Sequence, residues 1–163
     1  MLYPVILERA SEIIQLCQTK RCKVATIESC TGGLISAALT AVSGASDVVD
    51  RGFITYSNEA KNQLVGVPLK LIESYGAVSE EVARAMAEGG LQRSIANITV
   101  SVTGIAGPGG GTDIKPVGLV HFACAHENEI TSSYFEVFSG DRSSVREATV
   151  LQALNMIETA VKR

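Results

Sequence analysis

Stretches with a helical apolar period alternate along this chain with short runs rich in β-branched residues. That alternation limits the fold more than any other feature. Val5, Ile6, Arg9/Ala10, Ile13, Ile14 and Cys17 recur at helical spacing, which predicts an amphipathic helix over residues 4–19. Lys23–Glu28 is a β-rich run that ends at the loop Ser29-Cys30-Thr31-Gly32-Gly33. Leu34, Ile35, Ala38, Leu39 and Val42 are helical again, with Gly44 as the expected C-cap. Val48–Tyr56 reads as a strand interrupted by Arg51-Gly52. Ser57 or Asn58 then caps a short helix that stops near Gly66 and Pro68.

The second half follows the same logic. Ser79-Glu80-Glu81 opens a helix with the apolar stripe Val82, Ala83, Met86 and Leu91. Ile98–Thr103 reads as a strand, and Val117–Ala125 with Ile130–Phe138 as an antiparallel hairpin. Ser144-Val145-Arg146-Glu147 fits a capping box before a last helix bearing Val150, Leu154, Ile157 and Val161. The order α-β-α-β-α-α-β-β-β-α predicts an α/β fold. A single mixed sheet would carry helices on both faces as a three-layer sandwich. With 163 residues, one domain over 1–163 is expected. Its core must come from Ala, Val, Leu and Ile, because the chain has 4 Tyr, 4 Phe and no Trp.

Charge removes several functional classes. The net charge is -3 and the basic residues are scattered, which argues against nucleic acid as a ligand. No apolar stretch reaches the roughly 18–20 residues of a membrane helix. Glu8 and Arg9 follow Met1–Leu7, so the start does not read as a signal peptide, and the expected location is cytoplasmic. Cys17, Cys22, Cys30 and Cys124 are then expected as reduced thiols. His121, Cys124 and His126 lie close in sequence, but strand alternation puts His121 and Cys124 on opposite faces, so no metal site is expected.

In α/β sheets, ligands bind beyond the carboxyl ends of strands. Three polar loops lie there. In the first, Ser29 stands at a sharp strand-to-helix turn, beside helix N–H groups that can hold an oxyanion. Ser29 and Thr31 also read as plain N-caps. The second places Tyr56, Asn58 and Lys61 together, and a desolvated Lys61 can serve Ser29 as a base. Lys61 equally reads as a solvated helix charge. The third, Thr103–Gly111, is rich in Gly but is neither a Walker A loop nor a dinucleotide fingerprint, since Thr112 replaces the third Gly and a strand follows. Its backbone can approach a ligand closely. Asp141 can cap the last helix, and the Arg142 guanidinium can take a carboxylate or phosphate, or make a surface ion pair.

Taken together, Ala25–Gly33, Asp50–Lys61, Gly76–Glu80, Thr103–Pro108 and Gly140–Arg142 resemble, in order, the C-terminal domain of the competence/damage-inducible CinA proteins, whose stand-alone relatives are called PncC. The resemblance spans nearly the whole chain. It implies an amidohydrolase converting nicotinamide mononucleotide to nicotinic acid mononucleotide and ammonia, in pyridine nucleotide recycling, with no cofactor and no metal. It implies Ser29 as nucleophile, Lys61 as base and Tyr56 as a third catalytic residue. Thr31, Gly32, Gly33, Asn58, Thr103, Gly104, Gly107 and Arg142 would bind the substrate. It also implies a homo-oligomer. Longer relatives carry a further N-terminal nucleotide-hydrolase domain, which is not expected here. A non-catalytic binding domain and an amidase for another small amide are the alternatives.

Overall fold

Strand β3 (Ile98–Gly104) shows how this chain builds two different layers from one alternating strand. Ile98, Val100 and Val102 point into one apolar cluster, while Thr99, Ser101 and Thr103 point to the opposite face. Those three hydroxyls do not stay unpaired. They donate to the carbonyls of Ala87 (2.7 Å), Ala83 (2.6 Å) and Ala77 (2.8 Å). Ala83 and Ala87 belong to helix α5 (Glu80–Gln92), whose small residues let it lie close to the sheet.

The computed structural model describes residues 3–163, so the first two residues of the expected 1–163 domain lie outside it. The other strands are β1 (Val24–Glu28), β2 (Val49–Ile54), β4 (Leu119–His126) and β5 (Ser132–Val137). They form one mixed sheet in the order β2-β1-β3-β4-β5. β1 pairs in parallel with β2 and β3, and the β3-β4-β5 edge is antiparallel. Helices α1 (Pro4–Lys20), α2 (Leu34–Thr40) and α6 (Arg142–Val161) bury Ile6, Ile13, Leu39, Leu154 and Ile157 against one face. Helices α3 (Asn58–Val65), α4 (Leu69–Tyr75) and α5 cover the other, around Ile27, Val65, Ile72 and Met86. The predicted three-layer α/β/α sandwich is present. Among the described residues no helix is long and apolar enough to cross a membrane.

Three local expectations are corrected. Gly44 is not the C-cap of α2, which ends at Thr40 with Ala41 as its cap. Gly44 takes φ 85° ahead of a short 3-10 turn, Ala45–Asp47. β2 runs unbroken through Arg51-Gly52, because Gly52 leaves room for Ser36 Oγ, which an added Cβ would meet at 2.2 Å. The irregularity is instead a bulge at Asp50, since Val24 pairs with Val49 and Ala25 with Arg51. The last helix starts at Arg142, and of the two expected caps Asp141, not Ser144, serves it, accepting from the Ser144 N–H. Helix α4 had no sequence expectation, because one amphipathic pattern over seven residues is too short to stand out.

Helix α5 also crosses α3 closely. A Cβ on Gly89 would lie 1.8 Å from the Val65 carbonyl oxygen, a backbone atom that cannot rotate away. Gly→Ala inside a helix ordinarily stabilises by about 0.5–1 kcal/mol. Gly89→Ala is expected to reverse that sign and destabilise by about 1–3 kcal/mol. Gly109→Ala, where nothing lies within 4 Å, should be near neutral. Urea unfolding of both variants checks the contrast.

Candidate active site

Parallel pairing of β1 with its two neighbours aligns Glu28 with Ile54 on one side and Val102 on the other. The loops that follow these strands therefore emerge side by side. Beyond the strand ends, Thr55 N–H still donates to Glu28 O (2.8 Å) and Ser29 N–H to Val102 O (3.1 Å). Ser29 is fixed by its backbone between the second and third loops.

Lys61 enters this space from the first turns of α3, a helix capped by the Ser57 hydroxyl. It is 1% exposed, among the largest fully buried side chains in the chain. Its Nζ lies 3.1 Å from Ser29 Oγ, 2.9 Å from Thr55 O and 3.3 Å from Tyr56 O. None of the ion pairs among the described residues includes it. Burial without a carboxylate pushes its pKa below the ordinary lysine value. Nζ donates to both carbonyls and to the Ser29 hydroxyl, and on losing one proton it can keep both carbonyl bonds while offering its lone pair to that hydroxyl.

These groups line a cavity of about 210 Å³. Ser29, Tyr56, Asn58, Lys61, Thr103, Gly104 and Arg142 all reach it, so seven of the predicted residues converge. Cys30, Ala77, Val78 and Ala106 complete its wall. Their apolar or small side chains carried no separate signal in the sequence. Cys30 is buried, and burial pushes its thiol up to about 12, so the thiol beside Ser29 stays protonated. Tyr56 is 60% exposed, with its hydroxyl 3.3 Å from Arg142 Nη2. Arg142 also donates to Gly107 O (3.0 Å) and makes no ion pair with a described carboxylate. The pocket thus presents a cation at its rim, a desolvated amine at its base and no acidic side chain in its wall.

The family model described as the CinA C-terminal domain matches residues 7–161. The chain belongs to the CinA family. It is 52% identical over 149 residues to a competence-damage inducible protein of Caldicellulosiruptor bescii, covering 91% of this chain and 36% of that protein. It is 51% identical over 132 residues to a CinA-like protein of Akkermansia muciniphila, covering 81% and 32%. The chain therefore spans about a third of these relatives' length. The crystal structure of the competence/damage inducible protein CihA from Agrobacterium tumefaciens superposes with a TM-score of 0.95 at 46% identity, covering 100% and 99% of the two chains. A CinA superfamily protein from Escherichia coli gives 0.89 at 33%, covering 97% and 92%.

Four predicted binding residues of this CinA domain, Thr31, Gly32, Gly33 and Gly107, lie outside the cavity wall. The helix N–H groups expected to hold an oxyanion are already taken. Glu28, fully buried, takes them. Its Oε2 accepts from Gly33 N (3.0 Å), Ile35 N (3.0 Å) and Thr31 Oγ1 (2.7 Å). Its Oε1 accepts from Ser36 N (2.8 Å) and Thr26 Oγ1 (3.0 Å). Gly32 N–H donates to Ser29 O (3.1 Å). Neither Ser29 nor Thr31 is the N-cap of α2, whose first turn is capped by the Glu28 carboxylate. Thr103 lines the cavity, but its hydroxyl is spent on Ala77 O, and Gly107 contributes a carbonyl to Arg142 rather than surface to the cavity. His121 stacks on Phe135, His126 contacts Glu127 O and Cys124 is buried, so these three do not converge.

Sequence reasoning missed Glu28 as a site residue. A carboxylate closing an otherwise apolar strand was the available signal. Glu28→Gln keeps the shape but turns an amide donor toward backbone donors. It should destabilise the domain by about 2 kcal/mol or more in chemical denaturation. An unchanged midpoint would show that this carboxylate does not organise the turn.

Proposed function

We propose that this CinA domain is a nicotinamide-nucleotide amidase. It deamidates nicotinamide mononucleotide to nicotinic acid mononucleotide and ammonia, a step of pyridine nucleotide recycling. The observation that carries the reading is the buried Lys61 amine 3.1 Å from the Ser29 hydroxyl. That distance favours catalysis over a purely binding domain, which has no need of a desolvated amine on a serine.

In this reading Lys61 accepts the Ser29 proton as the alkoxide attacks the carboxamide carbon. The tetrahedral intermediate collapses, and Lys61 returns its proton to the departing ammonia. Water, deprotonated by Lys61, then hydrolyses the acyl-serine and releases the acid. With the α2 N–H groups held by Glu28, the oxyanion falls to the loop after β3. Neither the Ala106 nor the Gly107 N–H donates to a described residue, and Ala106 lines the cavity. Arg142 would take the substrate phosphate by exchanging its bonds to Tyr56 and Gly107 for phosphate oxygens. Tyr56 then closes the rim, and its carbonyl orients Lys61.

Ammonia release from nicotinamide mononucleotide tests the proposal. Ser29→Ala and Lys61→Met should each lose at least about 100-fold in kcat. Full activity in both would remove the Ser–Lys mechanism, and no release by the wild type would remove the function. Because burial lowers the Lys61 pKa, the amine becomes a free base below the ordinary lysine value of about 10.4. The rate should therefore rise with pH and level off above the Lys61 pKa, and a rate that falls over that limb contradicts Lys61 as base. The alternative, an amidase for another small amide, is separated by competition. Nicotinamide mononucleotide should outcompete nicotinamide riboside, and Arg142→Met should erase most of that preference. Equal use of both by the wild type would favour the alternative.

A further inference from the structure

Two of the four cysteines lie away from the pocket, at the opposite end of β1 from Ser29. Helix α1 ends with Arg21 in the left-handed region (φ 54°). Cys22 N–H donates to Cys17 O (2.9 Å), and Arg21 N–H donates to Gln18 O (3.1 Å). This pair of bonds is the Schellman helix ending, in which the two residues joined by the longer-range bond commonly make an apolar side-chain contact. Here cysteine occupies both positions. A disulfide spans roughly 4.4–6.8 Å between Cα atoms, and these two residues are already joined directly by one backbone hydrogen bond.

Both thiols are free, with Cys17 fully enclosed and Cys22 9% exposed. A shallow cleft lined by Asn97 and His126 opens on Cys22, with Cys17 behind it. Cys22 Sγ contacts Lys23 O (3.8 Å) at the less enclosed end of the pair, so Cys22 is the thiol a small oxidant meets first, and the closeness of the two thiols shifts its pKa down and that of Cys17 up. Cys30 and Cys124 differ, since burial pushes each up to about 12.

We propose that Cys17 and Cys22 form a reversible dithiol–disulfide site that reacts with hydroperoxides and closes a covalent ring across the end of α1. The Cys22 thiolate attacks a peroxide oxygen. An S–O bond forms, the O–O bond breaks, and hydroxide leaves to become water on protonation. The Cys17 sulfur then attacks the sulfenic sulfur of Cys22. An S–S bond forms, the S–O bond breaks, and a second water leaves carrying the Cys17 proton. Two thiols are oxidised and one peroxide is reduced to two waters. The proposal does not rest on the amidase reading.

The test treats the folded full chain with a small molar excess of hydrogen peroxide, blocks remaining thiols by alkylation and digests with trypsin. Cleavage after Lys20, Arg21 and Lys23 separates Cys17 from Cys22, so only a disulfide keeps their peptides joined. The expected result is that joined pair from most of the wild-type chain, released by dithiothreitol and absent from Cys22→Ser. In Cys17→Ser, Cys22 should stop at the sulfenic acid and be trapped by dimedone. Three outcomes overturn the proposal. These are oxygen added to Cys22 without linkage, linkage through Cys30 or Cys124, and a wild-type pair that stays reduced while the urea-unfolded chain oxidises.

Discussion

The buried carboxylate of Glu28 is the interaction on which the site depends. Burying an ionised carboxylate costs several kcal/mol unless its oxygens are satisfied. Five donors meet this one, and three are backbone N–H groups in the first turn of α2. That helix end carries the positive pole of the peptide dipoles, so an anion there is favoured twice, by hydrogen bonds and by charge. The carboxylate thereby ties the last residue of β1 to the helix that starts at Leu34 and fixes the turn between them, which contains Ser29. It also explains why the helix N-terminus, so often an anion site, is closed to a ligand here. The anion it would have held is already part of the protein.

Glu28 and Lys61 are both buried, yet the structure treats their charges in opposite ways. Glu28 is met by five hydrogen-bond donors and by no cationic side chain. Lys61 meets two carbonyls and a hydroxyl, with no carboxylate among its partners. Had the two paired with each other, the lysine pKa would have risen and its lone pair would have been lost. Separate satisfaction of the carboxylate is what leaves the lysine free to become a neutral base.

The sequence disclosed the helices with a clear apolar stripe, because their spacing depends only on local geometry. Ile6, Ala10, Ile13, Ile14 and Cys17 are buried along α1, although Val5 turns outward. The loops that carry Ser29, Tyr56, Lys61 and Arg142 were legible too, from polar residues at strand ends and from the family resemblance. What local spacing could not supply was distance. Ser29 and Lys61 are 32 residues apart, and only the parallel register of β1 with β2 brings them together. Nor could it separate a carboxylate in a solvated loop from one folded back into a helix. Thr31–Gly33 were assigned to the ligand for that reason, when the donors of Thr31 and Gly33 serve Glu28 and that of Gly32 serves the Ser29 carbonyl.

The scarcity of aromatics bears on the pocket in the same way. Packing α5 onto the sheet through Ala83, Ala87 and Gly90 brings its backbone near enough for β3 hydroxyls to reach its carbonyls. A Cβ on Gly90 would meet Ile27 at 2.4 Å, so a larger residue there would lift the helix away. Thr103 is the last hydroxyl of that row, and it grips Ala77 in the segment leading into α5. Ala77 and Val78 form a wall of the cavity facing Ser29 and Lys61. The same close packing that builds the second layer of the sandwich therefore sets how far that wall stands from the nucleophile. The residues that size the pocket are small because the sheet and helix must touch.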